Sequence, residues 1–371
     1  MIAHRASHLP DIIGRLWAQH LRPCRRRQAG FLLVLMVISG FAEVASLGAL
    51  LPFLAALADP GRLNSYEAVG KVTNWIGIES PEGLSLALAA SFCLIALIAG
   101  AIRTLVLWAS TRLAYAVAGD ISNAVYRRTL YQPYSVHVGR NSSEVISGLS
   151  VKVGNVPAVL QQMLALISSV LLLLFVAGAL LWINPLVATL VGVGFGGTYV
   201  LITGLFRSRL RRNSQDIARE KNRLVKVLQE GLGGIRDVLL GHLQEVYCEA
   251  YRRTDDTLRK AQISNVFIGG SPRFVMETSG MVLIAGFSFA LTQLSGGLAE
   301  ALPVLGALAL GAQRMLPALQ QSYSSWVGIA GSEASLADVL ILLDQPLPPE
   351  ELNTPTAPAA ICRSIRLEGV R

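Results

Sequence analysis

Residues 159–206 read VLQQMLALISSVLLLLFVAGALLWINPLVATLVGVGFGGTYVLITGLF. Crossing the hydrocarbon of a bilayer takes about 20 predominantly apolar residues in a helix. This stretch supplies that length twice, from Val159 to Ile183 and from Pro185 to Phe206. Asn184 and Pro185 stand between the two halves, a helix-stopping pair that leaves room for no more than a tight turn. The chain thus enters lipid and returns at once.

Four more stretches have the same character: Phe31–Leu57, Leu84–Ala109, Phe274–Leu294 and Ala301–Tyr323. Of the 371 residues 52% are apolar and 15% charged, with a mean hydropathy of +0.50. Soluble domains carry about 25% charged residues, so lipid is the solvent for most of this chain. A net charge of +8 raises nucleic acid as a partner. The basic residues, however, alternate with membrane-length apolar runs and carry no interleaved aromatic platforms, so no nucleic-acid surface is expected. Cys24, Cys93, Cys248 and Cys362 show neither a paired Cys-x-x-Cys nor a metal-ligand spacing, and no metal site is expected.

Lys and Arg fix the expected orientation. Residues 1–30 hold six of them, 110–158 hold five and 207–273 hold fourteen, whereas 58–83 hold only Arg62 and Lys71. By the positive-inside rule both termini and both long connections are cytoplasmic, at a bacterial-type inner membrane. A basic N-terminus before an apolar run also imitates a cleavable signal peptide, but the run is about twice the length of a signal core. Ahead of it Ile12, Ile13, Leu16, Trp17 and Leu21 share one helical face, which suggests an interfacial amphipathic helix within residues 1–30.

The connections carry further information. Arg112–Tyr131 and Arg207–Gln229 keep charged residues at helical spacing without proline, so the preceding spans are expected to run on as helix. Twenty extra residues project about 30 Å. Pro133 ends the first extension and Gly231, Gly233 and Gly234 end the second. After the first, Asn141 and Glu144 have the spacing of a capping box.

Six spans, two helical excursions, Gln132-Pro133-Tyr134 at the first reversal and Glu230-Gly231-Leu232-Gly233-Gly234-Ile235-Arg236-Asp237-Val238 near the second resemble the transmembrane domain of an ABC exporter. Ser39-Gly40-Phe41-Ala42-Glu43, Leu51-Pro52-Phe53 with Asp59-Pro60, and Asn141-Ser142-Ser143-Glu144 look most like flippases of lipid-linked oligosaccharides. The resemblance implies an all-α membrane protein, six-helical over residues 31–344, working as a homodimer. It implies that Gln132, Pro133, Tyr134, Gly234, Arg236 and Asp237 couple the spans to nucleotide-binding domains. ATP and Mg²⁺ are then expected on those domains and no cofactor on this chain, which has no Gly-x-x-x-x-Gly-Lys-Ser/Thr loop and no catalytic residues. Residues 345–371 read as a Pro-rich linker followed by the first strand of a nucleotide-binding domain cut at Arg371.

Charges inside spans cost several kcal/mol unless they face a partner or a watery cavity. Glu43 lies mid-span. Gln313 and Arg314 lie in the sixth span, where Arg314 could meet a phosphate bidentately or pair with Glu43 or Glu277. These four are the candidate substrate-cavity residues; Arg103 and Arg273, nearer span ends, are expected to reach toward headgroups. The function expected is ATP-driven translocation of an amphipathic or lipid-linked substrate by alternating access. Export of peptides, other lipids or drugs, a gradient-driven transporter or channel, and a non-transporting scaffold are the alternatives.

Overall fold

The computed structural model describes residues 9–58, 81–139, 147–183, 185, 189, 192–293 and 297–346. Every secondary-structure element among them is helical. The elements are α1 (Leu9–Arg15), α2 (Pro23–Ala58), α3 (Pro81–Leu130), α4 (Tyr134–Val138), α5 (Val156–Ile183), α6 (Gly197–Gly233), α7 (Ile235–Leu240), α8 (Gln244–Gln293), α9 (Gly297–Ala330) and α10 (Glu333–Leu343). Wider π-type turns lead into α5 and α6 and follow α1.

Helix lengths carry the first physical message. α3 and α8 have 50 residues each and are therefore about 75 Å long, more than twice the hydrocarbon thickness. Ala109 lies within α3 and Phe206 within α6, so the expected extensions are continuous helix, ending at Leu130 and Gly233. Pro133 opens α4 and Gly234 separates α6 from α7, whereas Gly231 and Gly233, also expected to break the second extension, lie inside the last turn of α6. The capping box at Asn141, the 184–185 turn in large part, Asp59-Pro60 and the strand near residue 364 lie outside the described residues.

Three helices among the described residues are long and apolar enough to cross a membrane, or four if the bent pair Met315–Ala330 and Glu333–Leu343 counts as one span. The other expected spans include residues or side chains outside the described set.

Packing follows two different rules. Between spans, where lipid is as apolar as leucine, close approach depends on small residues. At Gly40 of α2 a Cβ would collide with the Phe175 ring of α5, so this contact requires glycine. Beyond the spans ordinary burial operates. Ile12 of α1 is 1% exposed and packs with Val159 of α5 and Leu336 of α10. The apolar face of the N-terminal helix therefore turns into protein at Ile12, Leu16 and Leu21, while Trp17 remains 46% exposed. Asp344, just past α10, accepts hydrogen bonds from Arg15 at 2.6 Å and, in the appropriate tautomer, from His20 at 3.1 Å.

α6 and α8 form an antiparallel pair. Asn213 donates from Nδ2 to Oδ1 of Asn265 at 2.7 Å, and the same register puts Leu210 with Ile268 and Ile217 with Ala261. The turn between α7 and α8 takes His242 to φ 50°.

Candidate functional site

α2, α3, α5 and α9 border an open-sided cavity of about 960 Å³. Each helix contributes one face at spacings of three and four, as 3.6 residues per turn requires. α2 supplies Ser39, Gly40 and Glu43, and α3 supplies Gly100, Arg103, Thr104 and Leu107. α5 supplies Gln161, Gln162, Ser168 and Ser169, and α9 supplies Gln313, Pro317, Gln321 and Ser324. On α2, α3 and α5 these positions fall toward the end that adjoins residues 1–30 or 110–158, and on α9 toward its C-terminal end.

Hydrogen bonds set the walls. Ser322 donates to Ser169 at 2.8 Å, tying α9 to α5, and Gln161 reaches Thr111 of α3 at 3.4 Å. Gly328 of α9 lies so close to Gln162 that a Cβ there would strike the carboxamide. Glu43 is 9% exposed, and its backbone carbonyl accepts from Ser46 Oγ at 2.8 Å. Among the described residues the lining thus combines one carboxylate, one guanidinium and many neutral donors and acceptors with Met36, Leu107, Leu164 and Leu172. Such a wall suits a ligand with a polar, hydrogen-bonding head and an apolar continuation, and its volume is at the upper end of small-molecule sites.

Of the four residues expected at a cavity, Glu43 and Gln313 line this one. Arg314 lies on α9, its side chain outside those described. Glu277 does not line the cavity; it accepts from Arg273 at 2.8 Å, one helical turn away on α8. Arg103, expected to reach toward headgroups, lines the cavity instead. The glutamines and serines of α5 and α9 were not singled out from sequence. Their recurrence at Gln161/Gln162 and Ser168/Ser169, and at Gln313, Gln321 and Ser324, is a one-sided polar stripe in an apolar helix, and that stripe is the signal that finds them.

The two reversals have a different chemistry. Gln132 donates from Nε2 to the carbonyls of Arg128 and Pro346, both at 2.9 Å, and Arg128 donates to the carbonyls of Leu343 and Gln345. The first reversal is therefore fastened to the segment leaving α10. Tyr134 is 82% exposed beside it. At the second reversal the Gly234 N–H donates to the Glu230 carbonyl at 3.1 Å, and Arg236 and Asp237 are exposed. Leu232, Leu239 and Leu240 are 68%, 54% and 71% exposed there. Large apolar side chains are thus left uncovered at the end of α6 and along α7.

The sequence profile of the ABC transporter transmembrane region matches residues 30–301. The chain belongs to that family. The match takes in most of the apolar helices and both reversals, so the ABC transmembrane region supplies the frame in which cavity and reversals are read. No curated protein matches the chain. Among the described residues no cluster of His, Cys, Asp or Glu could hold a metal ion.

Proposed function

We propose that this ABC transmembrane region is the membrane-spanning half of an ATP-driven exporter or flippase that moves an amphipathic, lipid-linked oligosaccharide by alternating access. The observation that carries the reading is the cavity: a wall of Gln, Ser and Thr with, among the described residues, one carboxylate and one guanidinium, set among apolar helices. Sugar hydroxyls are matched by neutral donors and acceptors, and a lipid tail by the lipid-exposed helix faces. In this reading the chain has six spans, cytoplasmic termini in an inner membrane, and a homodimeric partner. ATP and Mg²⁺ belong to a nucleotide-binding domain docked on the exposed apolar reversals.

The test is transport by the full-length protein in proteoliposomes, read as loss of a fluorescent lipid-linked oligosaccharide from one leaflet. ATP-dependent translocation that drops in Q162L/Q321L supports the reading. Translocation of a peptide or a drug, with the glycolipid left in place, replaces it by another ABC exporter cargo. Unchanged transport in R236E/D237R would remove the coupling role of the second reversal.

A further inference from the structure

α6 carries Arg207, Arg209, Arg211 and Arg212, all exposed, just past its apolar first third. None of the four has a hydrogen bond or ion pair among the described residues. From Leu210, which is fully buried, Arg207 and Arg209 lie to either side, and Arg211 and Arg212 continue around the outer surface, so the guanidinium groups fan over the whole face turned away from α8. Compensating acids are absent from the sequence nearby: none lies between Pro185 and Gln215 or between Thr257 and Met276. The first acids beyond them on α6, Asp216 and Glu220, are both engaged by Arg219.

The level of this band relative to lipid follows from the Asn213–Asn265 register. In that register Arg212 stands level with Val266 and Arg211 with Phe267 of α8. Val266 and Phe267 are 76% and 66% exposed, and Phe274 further down is 68% exposed. On α6 itself Val200, Leu201 and Leu205, just before the band, are 74%, 65% and 68% exposed. Uncovered apolar side chains and uncovered guanidinium groups therefore occupy one level. The four arginines span about 8 Å along the helix axis. A headgroup layer is of similar depth, since hydrocarbon of about 30 Å lies within a bilayer of about 40–45 Å. A band in water would not leave Phe267 bare, and one in hydrocarbon would not leave four charges unpaired.

We propose that Arg207, Arg209, Arg211 and Arg212 form a seat for the phosphate headgroups of anionic glycerophospholipids, with Val266, Phe267 and Phe274 against the acyl chains. The occupant follows from charge: a zwitterionic headgroup returns a positive group to a band that already has a surplus of them. The site is separate from the cavity and independent of the transported substrate.

The experiment is native mass spectrometry of the purified full-length protein titrated with phosphatidylglycerol or with chain-matched phosphatidylcholine. The parent is expected to retain phosphatidylglycerol preferentially, and salt should erase the preference. At about fivefold per basic residue, R209Q/R212Q should weaken phosphatidylglycerol binding roughly 30-fold. R252Q/R253Q, which removes two arginines paired with Glu249 far along α8, should leave it unchanged. Equal retention of the two lipids by the parent overturns the proposal without any variant. So does an undiminished preference in R209Q/R212Q, or loss of self-association in that variant with lipid binding intact, which would make the band a protein interface.

Discussion

Lys152 Nζ stands 2.6 Å from Oδ2 of Asp338, with the two side chains only 10% and 28% exposed. The pair ties the turn that leads into α5 to the outer face of α10, whose Leu336, Val339, Leu340 and Leu343 are buried. A half-buried ion pair is held by both partners: removing one strands the other in a place of low polarity.

K152M should therefore destabilise the protein by about 3 kcal/mol, near the lower end for a broken buried pair because Asp338 keeps some contact with water. The double variant K152M/D338L should recover most of that loss. Thermal unfolding in detergent measures both, and additive losses in the double variant would show that the two side chains do not act on each other.

Glu249 on α8 gives a pH dependence with a definite sign. Hydrogen bonds from Arg253 and then Arg252 hold its carboxyl below the ordinary value of 4.5. A depressed carboxylate contributes stability that is present above the unfolded value and lost as pH falls through the folded one. The parent should therefore exceed E249Q by a small constant amount from neutral pH down to about 5, and the difference should close on further acidification. Because the group is exposed, salt should close it too. Urea midpoints across that pH range check the sign.

How much of this was legible in sequence depended on range. Pro133 and Gly234 end their helices through local backbone chemistry, and both ends were readable. The continuity of α3 past Ala109 was readable because charges at helical spacing sustain it. The Arg15–Asp344 hydrogen bond joins residues 329 apart, and no local pattern announces such a pairing. Ile12 carries the same lesson: its apolar stripe was visible, but whether that stripe meets lipid or protein is decided by Val159 and Leu336. At the cavity Glu43 was conspicuous as a charge in a span, whereas Gln162 and Ser169 are uncharged and tolerated in helices. Their place in the cavity wall emerges only when four helices bring their faces together. Glu277 misled for the converse reason, since its partner Arg273 lies one turn away on its own helix.

Tyr199 and Tyr323 bring their ring centroids to 5.4 Å, and both hydroxyls are buried without a hydrogen-bond partner among the described residues. An unsatisfied buried hydroxyl costs about 1–3 kcal/mol. Y199F and Y323F should thus leave stability unchanged or raise it by about 1 kcal/mol each, with the ring packing of α6 on α9 retained. A clear loss in either variant would mean that the hydroxyl is satisfied in the bilayer, by water or by a bound molecule, and thermal unfolding decides between these outcomes.

Gly328 offers the sharpest probe of the cavity because it acts from outside the lining. A Cβ at this position meets the carboxamide of Gln162, the far end of a side chain that can swing, and the space open to it is the cavity. G328A should therefore cost little stability, about 1 kcal/mol or less, while pushing Gln162 inward. If the cavity receives the transported head group, transport should fall several-fold in G328A, and Q162A in the same background should relieve the obstruction only as far as the transport level of Q162A alone. A structural role for Gly328 alone predicts the opposite ordering: G328A would unfold at a lower temperature, and Q162A would rescue folding and transport together. Parallel measurement of unfolding temperature and of lipid-linked oligosaccharide translocation separates the two, because only a filled cavity lowers transport at an unchanged unfolding temperature.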